Sequence, residues 1–305
     1  MPAERRYGMD HEHHAWSPMP TRGVLHWPQE ARVALCVLVN LEHMEWEPPV
    51  DACIPRRPSG GLGPLPYPDY ARLTHREYGH RVGIFRVLDV LEQHGIPATI
   101  AMDALTAEHY PYLVRHCQRR GCEFVAHGMS ASRLITSEMS EEEERDYIRR
   151  SIDTLTRITG KAPMGWLGPE YGESDRTPQL LAAAGIRYVC DWTNDEQPYR
   201  MTTAQGELYG LPIMLELDDT QALWERRVAI DRYSALLVES FETLYQDGAH
   251  NGRVLVLHLH PWLIGQPFRI GFLDTALATI MQRDGVWTAS GSAIIDWFRH
   301  HPPST

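Results

Sequence analysis

Four apolar runs in this chain end in residues that can move protons. The run ARVALCVLVN at 31–40 is followed by Leu41, Glu42 and His43. Glu123–Ala126 ends at His127 and Tyr188–Cys190 at Asp191. Val254–Leu259 ends at His260, with His258 two residues earlier and so on the same face of a strand. A carboxylate and an imidazole meeting at one mouth suit the two proton transfers of amide hydrolysis, activation of water and protonation of the leaving nitrogen. Asp191 or Asp195 can hold an imidazole in its working tautomer. A buried Glu42 near Asp191 is expected to have a raised pKa, which tunes a base toward neutrality. The plainer alternative is that these polar strand ends only pair with one another to close the mouth. Trp46, Trp166, Trp192 and Trp262 lie at or near strand ends and either wall a pocket for a flat ring or sugar or cover the top. Asp218 and Asp219 follow a strand and either touch the mouth or, the favoured expectation, form a solvated turn.

Strands of a particular kind must position these groups. The first run is rich in Val and Leu without polar alternation, as in a parallel strand covered by helices on both faces. In such folds chemistry gathers at the carboxyl ends of the strands. Downstream, helical patterns at His75–His94, Leu105–Arg120, Ser140–Ile158, Pro178–Ala184, Val228–Tyr245, Phe268–Arg283 and Ala293–His300 alternate with short apolar strands. The four glutamates Glu141–Glu144 follow a capping serine and are explained by helix-start electrostatics. The alternation predicts an α/β fold, a parallel (β/α) barrel formed by one domain over 31–305. Residues 1–30, with His11, His13 and His14, form an irregular arm that packs on the barrel or on a neighbour. A Pro/Gly-rich loop spans 44–74 at the Glu42 end, a lid or a surface excursion.

At 305 residues and a net charge of −11, the chain is poorly suited to nucleic acid or an anionic membrane surface. Five cysteines without CxxC spacing point to reduced thiols rather than a disulfide framework. The start of the chain lacks the apolar core of a secretory signal, and no run is long enough to span a membrane. The expectation is a soluble cytoplasmic protein acting on a small molecule, assembled as a homo-oligomer through its aromatic arm and its Pro/Gly loop.

The motifs resemble the NodB-homology polysaccharide deacetylase family, in particular its allantoinase-like cytosolic branch, over roughly residues 25–300. The family's first motif, Thr-Phe-Asp-Asp-Gly, or Asn-Tyr-Glu-Glu-Gly in that branch, stands here as Asn40-Leu41-Glu42-His43-Met44. The His-Ser/Thr-x-x-His motif stands as His127-Gly128-Met129-Ser130-Ala131, and Gly-Trp-Tyr-Thr-Gly-Arg as Gly165-Trp166-Leu167-Gly168-Pro169-Glu170. Asp191, Asp195, Pro198 and Tyr199 match the branch's Asp-x-x-x-Asp-x-x-Pro-Tyr, and Leu259-His260-Pro261 its Leu-His motif. The resemblance implies a distorted (β/α)7 barrel that hydrolyses a carbon–nitrogen bond in a non-peptide amide. It makes Glu42 the base and His260 the acid, with Asp191 and Asp195 in supporting catalytic roles. His258, Trp166, Glu170, Trp192 and Trp262 would contact substrate. It places metal ligands at His43 and His127, an incomplete set for zinc, which takes three protein ligands and an open position. The substrate expected is a small amide, such as a cyclic amide, ureide or N-acyl compound. The rivals are a metal-dependent N-deacetylase of an amino sugar or polysaccharide and an inactive ligand-binding relative.

Overall fold

The computed structural model describes residues 10–47 and 68–303. Most of the Pro/Gly-rich loop and the first nine residues lie outside them. The strands are β1 (Val33–Leu41), β2 (Ala98–Met102), β3 (Glu123–Ala126), β4 (Gly165–Trp166), β5 (Tyr188–Val189), β6 (Tyr199–Arg200), β7 (Tyr209–Gly210), β8 (Arg253–Leu259) and β9 (Val286–Thr288). They pair in the order β6-β7-β5-β4-β3-β2-β1-β8, with β9 also on β1. Every pairing is parallel except β6 with β7. The result is a curled mixed sheet, a half-barrel flanked by helices. Between its two ends, Val254 N–H donates to the Glu196 carbonyl at 2.8 Å, and the Gln197 amide donates to the Gly252 carbonyl at 2.7 Å.

The helices are α1 (Tyr70–Tyr78), α2 (Ile84–Gln93), α3 (Ala104–His109), α4 (Pro111–Arg119), α5 (Glu141–Thr159), α6 (Thr177–Ala183), α7 (Ile230–Asp247), α8 (Pro261–Ile264), α9 (Ile270–Ile280) and α10 (Gly291–His300). The helix expected over His75–His94 begins earlier, at Asp69, whose carboxylate accepts from Arg72 N–H. It also contains a π-helical segment, Gly79–Gly83, between α1 and α2. The helix expected over Leu105–Arg120 is two, because Tyr110 precedes Pro111 and leaves the helical region. The strand expected over Leu211–Leu215 is instead the short β7 followed by a 3-10 turn at Leu215–Leu217.

Side-chain parity along the strands decides what reaches the mouth. On β1, Val33, Leu35, Val37, Val39 and Leu41 pack outward beneath the helices. Ala34, Cys36 and Leu38 pack inward with Val125 of β3 and with Val254 and Val256 of β8. Continuing the inward rows past these apolar layers brings Asn40 and Glu42 from β1, His127 from β3, and His258 and His260 from β8. Register aligns them: Leu38 stands opposite His258 and Val39 opposite Leu259, which sets Asn40 beside His260.

Gly128, directly after His127, has φ +66°, and a Cβ there would meet the Tyr147 hydroxyl at 2.2 Å and Pro169 Cγ at 2.9 Å. Gly128→Ala is therefore expected to cost roughly 2–4 kcal/mol, read as a lower denaturant midpoint at unchanged m-value. The arm lies against the barrel: Trp27 is 1% exposed, and its indole N–H donates to the Arg253 carbonyl at 2.7 Å.

Candidate active site

Glu42 sits at the centre of a buried polar network. Its Oε1 lies 3.1 Å from His127 Nε2, accepts from Asn40 Nδ2 at 3.1 Å and stands 3.9 Å from His260 Nε2. Its Oε2 accepts from an Arg76 guanidinium nitrogen at 3.2 Å. His127 Nδ1–H is committed to the Leu167 carbonyl at 2.6 Å. His127 Nε2 is thereby the ring nitrogen turned to Glu42.

The second half of the network runs from β8. His260 Nδ1 lies 2.7 Å from Asp219 Oδ1, and its backbone N–H donates to the other oxygen of the same carboxylate at 2.9 Å. His258 Nε2 lies 2.8 Å from Asn40 Oδ1. Its Nδ1 lies 2.7 Å from the Tyr171 hydroxyl and 3.0 Å from Asp218 Oδ2. Asn40 joins the halves, because its Nδ2 is also 3.0 Å from His260 Nε2. A void of about 10 Å³ is lined by Asn40, Glu42, His127, Glu170, His258 and His260, among others, which is about the room one water needs.

The electrostatics reverse one expectation. Burial alone would raise the Glu42 carboxyl. The hydrogen bond with His127 and the charges of His260, His127 and Arg76 outweigh burial and hold it well below the usual carboxylate range. Asp191 is raised instead, pushed well up by burial and by the neighbouring Glu173, which is itself pushed up to about 7 chiefly by burial; burial also raises Asp103 and Asp219. For His260, burial works downward, but the Asp219 carboxylate dominates, with Asp218 and Glu42 adding, and lifts it to about 9.

Several expected residues fall elsewhere. Asp195 forms a two-pronged ion pair with Arg22 of the arm at 2.5 and 2.7 Å, so it ties the arm to the barrel. Asp191 accepts from Gly168 N–H at 2.8 Å and steadies the 168–172 turn rather than an imidazole. Trp166 is fully buried on the helix-facing side, because its position has the outward parity. Trp192 donates to Glu173 at 3.1 Å and lies against the rings of His11, His13 and His14. Of the expected substrate contacts, His258 and Glu170 line the void, while Trp262 stands behind Arg76.

The groups that orient the imidazoles are Asp218 and Asp219, 1% and 0% exposed, where a solvated turn was expected. The apolar stretch Leu211–Leu217 before them was the available signal. Asn40 carried one too, two residues before Glu42 and so on its face. Arg76 and Tyr171, on a helix and a turn, carried none.

The family's zinc does not fit the residues present. His43 turns toward His109 and Tyr110, with ring centroids 4.9 and 6.0 Å away. Its backbone N–H and carbonyl are tied to Asp103 and Ala131. His127 has both ring nitrogens engaged, and Ala131 offers no ligand atom. Among the described residues, one group brings three ligand atoms within 4.8 Å of one another: Asp218, His258 and His260. Those side chains are already satisfied by one another and by Asp219, Tyr171 and Asn40. Dialysis against a chelator is accordingly expected to leave the melting temperature unchanged, since no bound state is removed; a fall would show a metal bound to the native state.

A curled (β/α) sheet with this network at its strand ends defines a barrel of the NodB-homology type. Residues 77–189 match the family model described as polysaccharide deacetylase. A Schizosaccharomyces pombe protein provisionally named a polysaccharide deacetylase is 25% identical, over 90% of this chain and 93% of its own. A solved structure of PuuE allantoinase superposes with a TM-score of 0.82 at 26% identity, covering 92% of this chain and 94% of its own. A probable polysaccharide deacetylase from Pseudomonas aeruginosa PAO1 gives 0.80 at 27% identity, covering 92% and 95%. These likenesses relate the chain to the polysaccharide deacetylase family and are in keeping with its allantoinase-like branch. Among the described residues no helix is long and apolar enough to cross a membrane.

Proposed function

We propose that this protein hydrolyses a small amide, such as a cyclic amide or ureide, by general acid–base activation of water. The observation that carries this reading is the pairing of Glu42 with His260 at 3.9 Å across a void of water size. Glu42 accepts the proton of the attacking water, and His127, 3.1 Å from its Oε1, keeps the carboxylate in place. A carboxylate held so far below neutrality is a modest base by Brønsted reasoning. Its advantage is a fixed charge state and fixed lone-pair directions, which orient the water. His260, held protonated to about pH 9 by Asp219, gives its proton to the departing nitrogen. Likeness to PuuE allantoinase over nearly the whole chain supports a ureide-like substrate.

The test is a panel of hydantoins, allantoin and other ureides, imides and N-acetylated amino sugars, run on wild type and on Glu42→Gln. Turnover of a small cyclic or linear amide, lost in the variant, is expected. Acetate release from the amino sugars alone would sink this reading in favour of an N-deacetylase.

A further inference from the structure

The groups around Glu42 are not equivalent. His127 and His260 hold charge only while protonated, and Asn40 holds none. Among the described residues hydrogen-bonded to Glu42, Arg76 alone carries a charge independent of pH. The acids around it are many: Glu42 shares the void with Glu170 and Asp218, and Asp219 lies directly behind His260.

Arg76 is also built into place. Its side chain is 9% exposed and that of Glu42 7%. The guanidinium carbon lies 4.1 Å over the Trp262 ring, a stacked cation that stays oriented. Trp262 is in turn edged by Trp224 and His75, with centroids at 5.5 and 5.1 Å. The π-helical segment that follows α1 allows no slack against α8. A Cβ at Gly79 would come 2.9 Å from Trp262 N, and one at Gly83 would come 2.0 Å from the Pro261 carbonyl oxygen. α1 is thus locked to the segment that begins at His260, and one rigid unit carries both the acid and the cation facing the base. π-helical insertions of this kind occur often at functional sites.

We infer that Arg76 is the positioning residue of the catalytic base: it clamps the Glu42 carboxylate by Oε2, which keeps Oε1 turned to Asn40, His127 and His260. This rests on the hydrolase reading above for its catalytic meaning, but not for the clamp itself.

Two measurements on the full chain test it. Thermal melts at neutral pH of wild type, Arg76→Met, Glu42→Gln and the double variant give the coupling without any substrate. Arg76→Met is expected to lower the melting temperature in wild type, and most of that loss should vanish in the Glu42→Gln background. Equal losses in both backgrounds would overturn the clamp. On whichever amide the panel identifies, Arg76→Met should lower kcat by about 10²-fold and move KM by less than about threefold. Arg76→Lys should recover at least about tenfold of the lost kcat, because it restores the charge but not the planar fork. A raised KM with kcat intact would make Arg76 a substrate contact instead and overturn the positioning role. If no amide is turned over, the hydrolase reading fails while the melts still decide the clamp.

Discussion

Glu42→Gln is expected to lower kcat/KM by about 10³-fold or more on any substrate of this protein while the chain stays folded. The amide fills the same space and still meets Asn40, Arg76 and His127, but it cannot take a proton, and general-base catalysis contributes about 10²–10⁴-fold. The stability effect has a definite sign. Glu42 is held well below its ordinary value in the folded chain, mainly by the hydrogen bond with His127 and nearby cations acting against burial. A depressed carboxyl stabilises the fold above its unfolded pKa, about 4.3 for Glu, and loses that contribution as pH falls through the lower folded value. Glu42→Gln should therefore be less stable than wild type at pH 7, and the gap should close in acid, below the ordinary glutamate range. Melts of both proteins across that range check it. A gap that widens on acidification would mean that burial, not the cations, governs Glu42. Retained turnover would remove Glu42 from the chemistry altogether.

The barrel was legible in the sequence because its strands are buried on both faces and punctuated by charge. The run to Asn40 has no alternation, and Glu42 and His43 break it abruptly. The same holds before His127 and His260. Parity then sorted the candidates in a way that residue type alone could not. Glu42 and His43 are neighbours of equal chemical promise, yet one faces the inward row and the other His109. Trp166 follows the same rule outward. Asp195 misled because an acid near a strand end looks catalytic until its cation is seen, and Arg22 lies 173 residues away in sequence. Asp218 and Asp219 were discounted because adjacent acids after a weak strand resemble a hydrated turn. The fold buries them because two β8 histidines, a threonine and a tyrosine supply their partners. The raised pKa expected for Glu42 had the wrong sign, because His127, His260 and Arg76 arrive from other elements.

The second large effect belongs to His260 and Asp219. Asp219→Asn leaves the ring its neighbours but removes the charge that most raises it. The wild-type ring, lifted to about 9 chiefly by Asp219 against the pull of burial, should give kcat/KM an alkaline limb near that pH. In Asp219→Asn the limb should move toward acid by at least one pH unit, and activity at pH 8 should fall by about tenfold or more. The two charge states use the ring differently. Neutral, with Nδ1–H on Asp219, it accepts at Nε2 from the Asn40 amide 3.0 Å away. Protonated, its Nε2–H faces the Glu42 carboxylate at 3.9 Å, across the space where a water or a leaving nitrogen fits. Proton delivery thus turns an ion pair into an acceptor for Asn40, and the spent acid is left with a partner. Stability follows the opposite sign to Glu42. A histidine raised in the fold stabilises it fully below its unfolded value, about 6.5, and that contribution is lost as pH rises toward 9. On the order of 3 kcal/mol is at stake by linkage. Wild type should accordingly lose melting temperature between pH 6.5 and 9 more steeply than Asp219→Asn or His260→Gln. Parallel profiles, with an unmoved alkaline limb, would show that Asp219 does not set the charge of His260.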